Sequence, residues 1–160
     1  MKTKTTLGIT AALALAASIA GTSVLTAKAN PDQRFTLIVH YEKSSFRTDD
    51  IAPKGHTVGD QMFFTGALTQ NGEPAGRLED MDIAIDRQIE GFARWATLLL
   101  PQGTIIAAGG GGNKGASGWH PSAADRLAVL GGTSAYAGAT GEITVRDLRD
   151  GTQQLTVTLR

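Results

Sequence analysis

The chain has 160 residues with 15 basic and 15 acidic side chains and no cysteine. Disulfides and thiol chemistry are therefore excluded, and any exported form depends on its packed core alone. No dense Lys/Arg run is present, which argues against nucleic acid and against an anionic membrane surface as partners.

Lys2 and Lys4 precede an apolar, alanine-rich run from Leu7 to Ala20, and a looser stretch ends in Ala27-Lys28-Ala29. This order of charge, apolar stretch and small-x-small site predicts a secretory signal peptide over residues 1–29, cleaved before Asn30. The run is shorter than the ~20 apolar residues of a membrane span, so no membrane association is expected after cleavage. Residues 30–160 form one domain of ordinary size. The loss of Lys2, Lys4 and Lys28 leaves that domain mildly acidic and destined for the extracellular side.

Arg34 to Ser44 alternates, with Phe35, Leu37, Val39 and Tyr41 on one side and Thr36, Ile38, His40, Glu42 and Ser44 on the other. This predicts a strand. Phe46 to Gly59 reads as a polar loop. Gln61 to Gln70 and about Ala75 to Asp86 read as strands joined by Asn71-Gly72, a strong hairpin turn. Ala93 to Leu100, apolar on both sides, is followed by a Pro101-Gln102-Gly103 turn and a short strand from Thr104 to Ala108. Gly109 to Ala124 lacks apolar periodicity and reads as a loop. Arg126 to Leu130 enters the glycine-spaced segment Gly131 to Gly141, which is read as a tight corner packing the ring of Tyr136. Glu142 to Leu148 and Gln154 to Arg160 close the chain as a hairpin around Asp150-Gly151.

Short strands joined by Gly and Asn turns predict an all-β fold, either an antiparallel sandwich or a closed barrel. Closure is favoured because it removes exposed edges. About eight strands suffice for a barrel that is filled by side chains or holds one small ligand.

Several motifs lack the context their chemistry needs. Gly110-x-Gly112-x-x-Gly115 matches a dinucleotide fingerprint by letter, but the segment that follows is a poor helix and could not receive a pyrophosphate. His40, His56 and His120 show no paired ligand spacing, so neither a metal nor another cofactor is expected. Ser134 has no nucleophile elbow around it. In Glu79-Asp80-x-Asp82-x-x-x-Asp86, strand geometry puts Asp80, Asp82 and Asp86 on one face and Glu79 on the other. That face is either solvated or lines a barrel, where Asp80 and Asp82 would become buried carboxylates with raised pKa values. The same question attaches to His40, Glu42 and Ser44, for which the alternation by itself favours solvent.

Gly131-Gly132-Thr133, Tyr136, Ala139 and Gly141 resemble the closing-strand signature of the allene oxide cyclase and dirigent barrel superfamily. Val58-Gly59-Asp60 with Phe64 and Leu68, Gly76-Arg77, and Gly103-Thr104-Ile105-Ile106 with Gly109 agree in order. Tyr41-Glu42 sits where the cyclases carry Tyr-Glu and dirigent proteins His-Asp. The resemblance spans roughly residues 35–159. It implies an eight-stranded antiparallel closed barrel, a homotrimer, and a pocket for a small hydrophobic or phenolic molecule. It further implies cofactor-free chemistry of the cyclase, isomerase or stereochemical-guide kind. Glu42 and Asp82 would then be catalytic and pocket-facing, with His40, Ser44, Asp80 and Arg126 binding substrate. Ser44, where the cyclases have asparagine, and Asp80, where the family has glycine, depart from the pattern, so neither plant activity transfers. The competing expectation is a non-catalytic container or structural barrel, plugged by Phe63, Trp95, Ile105 and their neighbours. A lipocalin-like carrier, with an apolar cup and no facing acids, is a third reading.

Overall fold

The computed structural model describes residues 33–42, 45–51, 53–55, 57–86, 91–112, 125–148 and 150–160. The predicted leader over residues 1–29, together with Ser44, His56 and His120, lies outside the described residues.

Nine strands follow one another: β1 (Arg34–Tyr41), β2 (Arg47–Asp49), β3 (Gln61–Gln70), β4 (Glu73–Asp86), β5 (Gly91–Leu100), β6 (Gly103–Gly112), β7 (Asp125–Gly132), β8 (Gly141–Asp147) and β9 (Gln153–Leu159). Every pairing is antiparallel. The ring runs β1-β9-β8-β7-β6-β5-β4-β3 and closes through β1–β3. Eight strands thus form the expected closed barrel, and the short β2 lies against the first three residues of β3.

Period-two alternation decides what fills it. Leu37 and Val39, Leu78, Leu98, Ile105 and Val157 are buried in one apolar core, while their strand neighbours look outward. Fully burying each such side chain contributes about 1.5–3 kcal/mol, so a continuous interior stack holds the ring shut without cross-links. Trp95 is 41% exposed because it alternates with the buried Arg94. Phe63 likewise alternates with the buried Met62. Of the three residues expected to plug the barrel, only Ile105 does so.

The two mouths differ. At one, β3–β4 and β5–β6 turn over two residues each, Asn71-Gly72 and Pro101-Gln102. There β7–β8 turns through the glycine corner. Thr133 N–H donates to Thr104 O (2.9 Å), and a single 3₁₀ turn, Ser134–Tyr136, tucks the Tyr136 ring into the core. A Cβ on Gly132 would stand 2.3 Å from Thr104 O and 2.7 Å from Tyr136 Cβ, so only glycine permits this approach. The other mouth carries the longer connections, 42–60, 87–90, 113–124 and 148–152.

Several boundaries differ from expectation, β5 beginning at Gly91 among them. β2 forms inside the segment read as a polar loop, and β4 begins at Glu73 rather than Ala75. β6 continues through Gly109 to Gly112, into the stretch read as a loop. Glycines carry no side-chain alternation to detect. At Gly111 the reason for glycine is spatial, because a Cβ there would lie 2.6 Å from both Phe92 Cζ and Asp125 Oδ1.

Candidate functional site

Toward the long-loop mouth the barrel interior changes from apolar to polar. Strand registry sets Asp82 of β4 between Met62 of β3 and Arg94 of β5, and sets Asp80 beside Phe64. Asp80, Asp82, Arg94, Asp125 and Gln153 are all buried. Burying an ionised group is tolerated only where charge and hydrogen bonds answer it.

Arg94 is the hub. Its Nε donates to Asp80 Oδ2 at 2.8 Å, and its Nη2 donates to the same oxygen. Nη2 also reaches the Tyr41 hydroxyl and Gln153 Oε1, each at 3.3 Å. The Tyr41 hydroxyl donates to Gln153 Oε1, and Gln153 Nε2 donates to Asp147 Oδ1 at 2.8 Å. One network therefore joins β1, β4, β5, β8 and β9 across the lumen.

Asp80 keeps one oxygen, Oδ1, without a hydrogen bond, and Asp82 is answered less fully still. The Asp82 Oδ1 lies 3.8 Å from Arg94 Nε, an ion-pair distance, and accepts no hydrogen bond. Burial pushes its pKa up to about 7; Arg94 opposes the rise, while the charges of Asp80 and Asp125 add to it. Burial also raises the Asp80 pKa, against the pull of Arg94. Tyr41 is raised by burial and so stays protonated as a donor. For Arg94, burial disfavours the charge, but Asp80, Tyr41 and Asp82 more than restore it.

Aromatic rings adjoin the network. Tyr41 meets Phe64 edge-on at 5.3 Å, and the Arg94 guanidinium carbon sits 5.6 Å from the Phe64 centroid. Phe46, 56% exposed, stacks with Phe64 at 6.5 Å and 15° between planes. Asp60 organises the nearby rim. Its carboxylate accepts from Ile51 N–H (3.0 Å), Thr57 N–H (2.7 Å) and the Thr57 hydroxyl (3.0 Å). Its backbone is tied to Ala84 of β4.

The residues expected from sequence separate into two groups. Asp80 and Asp82 come together inside, and Glu79 is exposed, as the strand geometry requires. Glu42 does not face the lumen. It is exposed one residue past β1, because the inward partner of the Tyr-Glu pair is Tyr41. His40 is also exposed and shares a hydrogen bond with Thr69 Oγ1 (3.1 Å), on the outer side of β1. Arg126 is paired with Glu142 at 3.2 Å on the outer surface. Arg94, Tyr41, Gln153 and Asp125 were missed. The signal for Arg94 was a lone cation in phase with Phe92, Ala96 and Leu98 on an otherwise apolar strand.

At the tight-turn mouth lies a separate cleft of about 610 Å³, edged by Arg34, Glu73, Gln102 and Tyr136. None of the network residues reaches it. Among the described residues no three His, Cys, Asp or Glu side chains converge as metal ligands.

No family model matches the sequence, and no curated protein matches it. Solved structures do. The chain is similar to a pyocyanin demethylase, with 23% identity over 80% of this chain and 100% of that one, at a TM-score of 0.66. A pterocarpan synthase dirigent protein is 14% identical over 82% of this chain and 86% of its own, with TM-score 0.57. An exo-specific intermolecular Diels-Alderase is 14% identical over 80% and 97%, with TM-score 0.56. What is shared at these identities is the barrel, which is the fold that the glycine corner had pointed to.

Proposed function

We propose that this chain is an exported barrel protein that binds a small planar hydrophobic or phenolic molecule at its long-loop mouth. It moves a proton on that molecule and thereby steers a cyclisation, coupling or related step without a cofactor. One observation carries the reading: Asp82 is buried beside an ion pair that does not satisfy it, and it titrates near neutrality. A carboxyl with a pKa close to the working pH is present in both forms, which suits it to accept and return a proton.

The neighbours have separable tasks. Asp80 is the counter-ion that keeps Arg94 in place. The Arg94 guanidinium, held by Asp80, Tyr41 and Gln153, supplies fixed positive charge for the negative charge that develops on a ligand oxygen, and in a water-poor site such charge acts strongly. Phe64 and Phe46 offer flat faces that hold a planar ligand in one orientation, which lowers the entropic barrier to reaction. The fold is shared with proteins named as a demethylase, a dirigent protein and a Diels-Alderase, which supports a role in small-molecule chemistry.

The proposal extends to self-association as a homotrimer. Trp95, Leu99, Ile106 and Leu130 are exposed on adjoining strands β5, β6 and β7. An apolar patch of this kind on a soluble barrel is best covered by a second copy. Light scattering of the purified protein should give three times the monomer mass, and Trp95→Asp should lower it.

The test of function is incubation of the purified protein with pyocyanin, and with a set of methoxyphenols together with an added one-electron oxidant that generates their radicals, with products resolved by chiral chromatography and mass spectrometry. Conversion by the wild type and its loss in Asp82→Asn support the reading. Ligands bound and recovered unchanged would establish the non-catalytic container instead.

A further inference from the structure

The sealed interior ends short of the tight-turn mouth. Leu37 of β1 and Leu98 of β5 are 1% and 0% exposed. One inward step further along each strand, Phe35 and Leu100 pack against the same core but stay half-buried. They line the cleft of about 610 Å³ at that end, together with Leu37 and Ala75. A bulge gives Ala75 its place: Leu68 pairs with Gly76 and Thr69 with Pro74, so Ala75 is the extra residue of β4. Bulges at barrel rims bend the strand and re-aim a side chain, and here that side chain is small. Pro74 follows one two-residue turn and Pro101 opens the other. Their fixed φ makes the rim rigid before anything binds.

The rest of the cleft wall is polar and carries no net charge. Gln33, Gln70 and Gln102 bring carboxamides, which both donate and accept. Tyr136 is buried, and its hydroxyl donates to Gln102 Oε1 at 3.4 Å. That is long for an O–H···O bond, so the pair opens readily to a ligand atom. Arg34 and Glu73, the two charges of the wall, are exposed and opposite in sign. An ion drawn to one is repelled by the other. A wholly apolar guest would cover the carboxamides and strip them of water without replacing it. A bare sugar would set its hydroxyls against Phe35, Leu37 and Leu100. A molecule with one apolar part and one hydroxylated part answers both surfaces.

We infer that this cleft is a second binding site, which takes an uncharged amphiphile of the alkyl or aryl glycoside type. Its apolar part lies against Phe35, Leu37 and Leu100, and its hydroxyls lie among the glutamines. The volume falls within the ~300–1,000 Å³ of small-molecule sites. The site is independent of the function proposed above, because no side chain of the Arg94 network lines it.

Amide NMR spectra of the protein, titrated with hexyl β-D-glucoside, glucose, heptanoate and hexyltrimethylammonium, separate shape from charge. The glucoside should shift the side-chain amide signals of Gln33, Gln70 and Gln102 saturably. It should bind about tenfold more tightly than each of the other probes, equivalent to about 1.4 kcal/mol. Ala135→Trp, at an exposed position on the cleft, fills the space and should weaken the glucoside about tenfold, with the backbone signals of β8 and β9 in place. Gln102→Ala, also exposed, should weaken it about threefold and keeps the test open if the Trp variant fails to fold. Asp82→Asn should leave the titration unchanged, which separates this site from the long-loop mouth. Glucose or either ion binding as tightly as the glucoside overturns the inference. So does glucoside binding that survives the cleft variants, or no saturable shift with any probe. Shifts of the same amides on dilution without a probe would give the cleft to a second copy of the chain and overturn it as well.

Discussion

Arg94 binds Asp80 through one oxygen only: Nε and Nη2 both donate to Oδ2, and Oδ1 has no hydrogen-bond partner. A fork-to-fork pair would have engaged both oxygens. The guanidinium is instead turned so that Nη2 also serves Tyr41 and Gln153, and Nε faces Asp82.

Removing one member of that pair should be far worse than removing both. Arg94→Met leaves Asp80 buried without its counter-ion and should destabilise the barrel by about 3–5 kcal/mol. The double variant Asp80→Leu with Arg94→Met should recover most of that loss. Urea denaturation of the three proteins checks the comparison; a double variant as unstable as the single one would mean that the pair itself is worth keeping for stability.

Asp82→Asn should stabilise the protein in alkaline solution. The folded pKa, about 7, lies above the unfolded value of about 3.9, so the folded state holds the proton more tightly. The carboxyl therefore costs nothing below about pH 4, its cost grows as pH rises to about 7, and it is constant above. The gain from Asn should be absent near about pH 4 and reach roughly 2–4 kcal/mol above about pH 7. Thermal melts of both proteins across this range give the curve directly.

Glu42→Gln should leave ligand binding and turnover unchanged, because that side chain is exposed outside the lumen. Surface substitutions of this kind shift stability by no more than about 0.5 kcal/mol. A large loss of turnover would return the catalytic role to Glu42.

Asp60→Ala should loosen the rim. Three hydrogen bonds from Ile51 and Thr57 end on its carboxylate, and Thr57 is buried, where leaving a donor unsatisfied costs about 1–3 kcal/mol. Amide exchange at Ile51 and Thr57 should accelerate well before exchange in β5 or β8.

Gly132→Ala tests the corner at the opposite mouth. With Thr104 O at 2.3 Å from the new Cβ, the backbone must move, and a loss of about 2 kcal/mol or more is expected. Unchanged stability in a denaturant titration would show that the corner yields.

The strands were legible where burial is one-sided. β1, β8 and β9 alternate cleanly, and the Asn71-Gly72 and Asp150-Gly151 turns fixed their hairpins. Asp80 and Asp82 could be put on one face, but their facing inward needed the closed ring. Arg94 was hidden because the local pattern of Ala93 to Leu100 is apolar on both sides, and its partners come from four other strands. Glu42 misled for a different reason. The Tyr-Glu pair fits the superfamily by order, yet adjacent strand residues point oppositely, and burial of Leu37 and Val39 commits Tyr41 to the inside. The glycines of β6 hid a strand because they leave no mark of period two.

The unequal mouths give this vessel a rigid base and an interchangeable rim. Two-residue turns and the Tyr136 corner lock one end, while the chemistry depends on side chains that project from strand ends beneath longer connections. The acid-bearing floor stays where β4 and β5 put it, independent of what is built onto the strand ends. Such a division lets one scaffold be refitted for a different guest without being rebuilt.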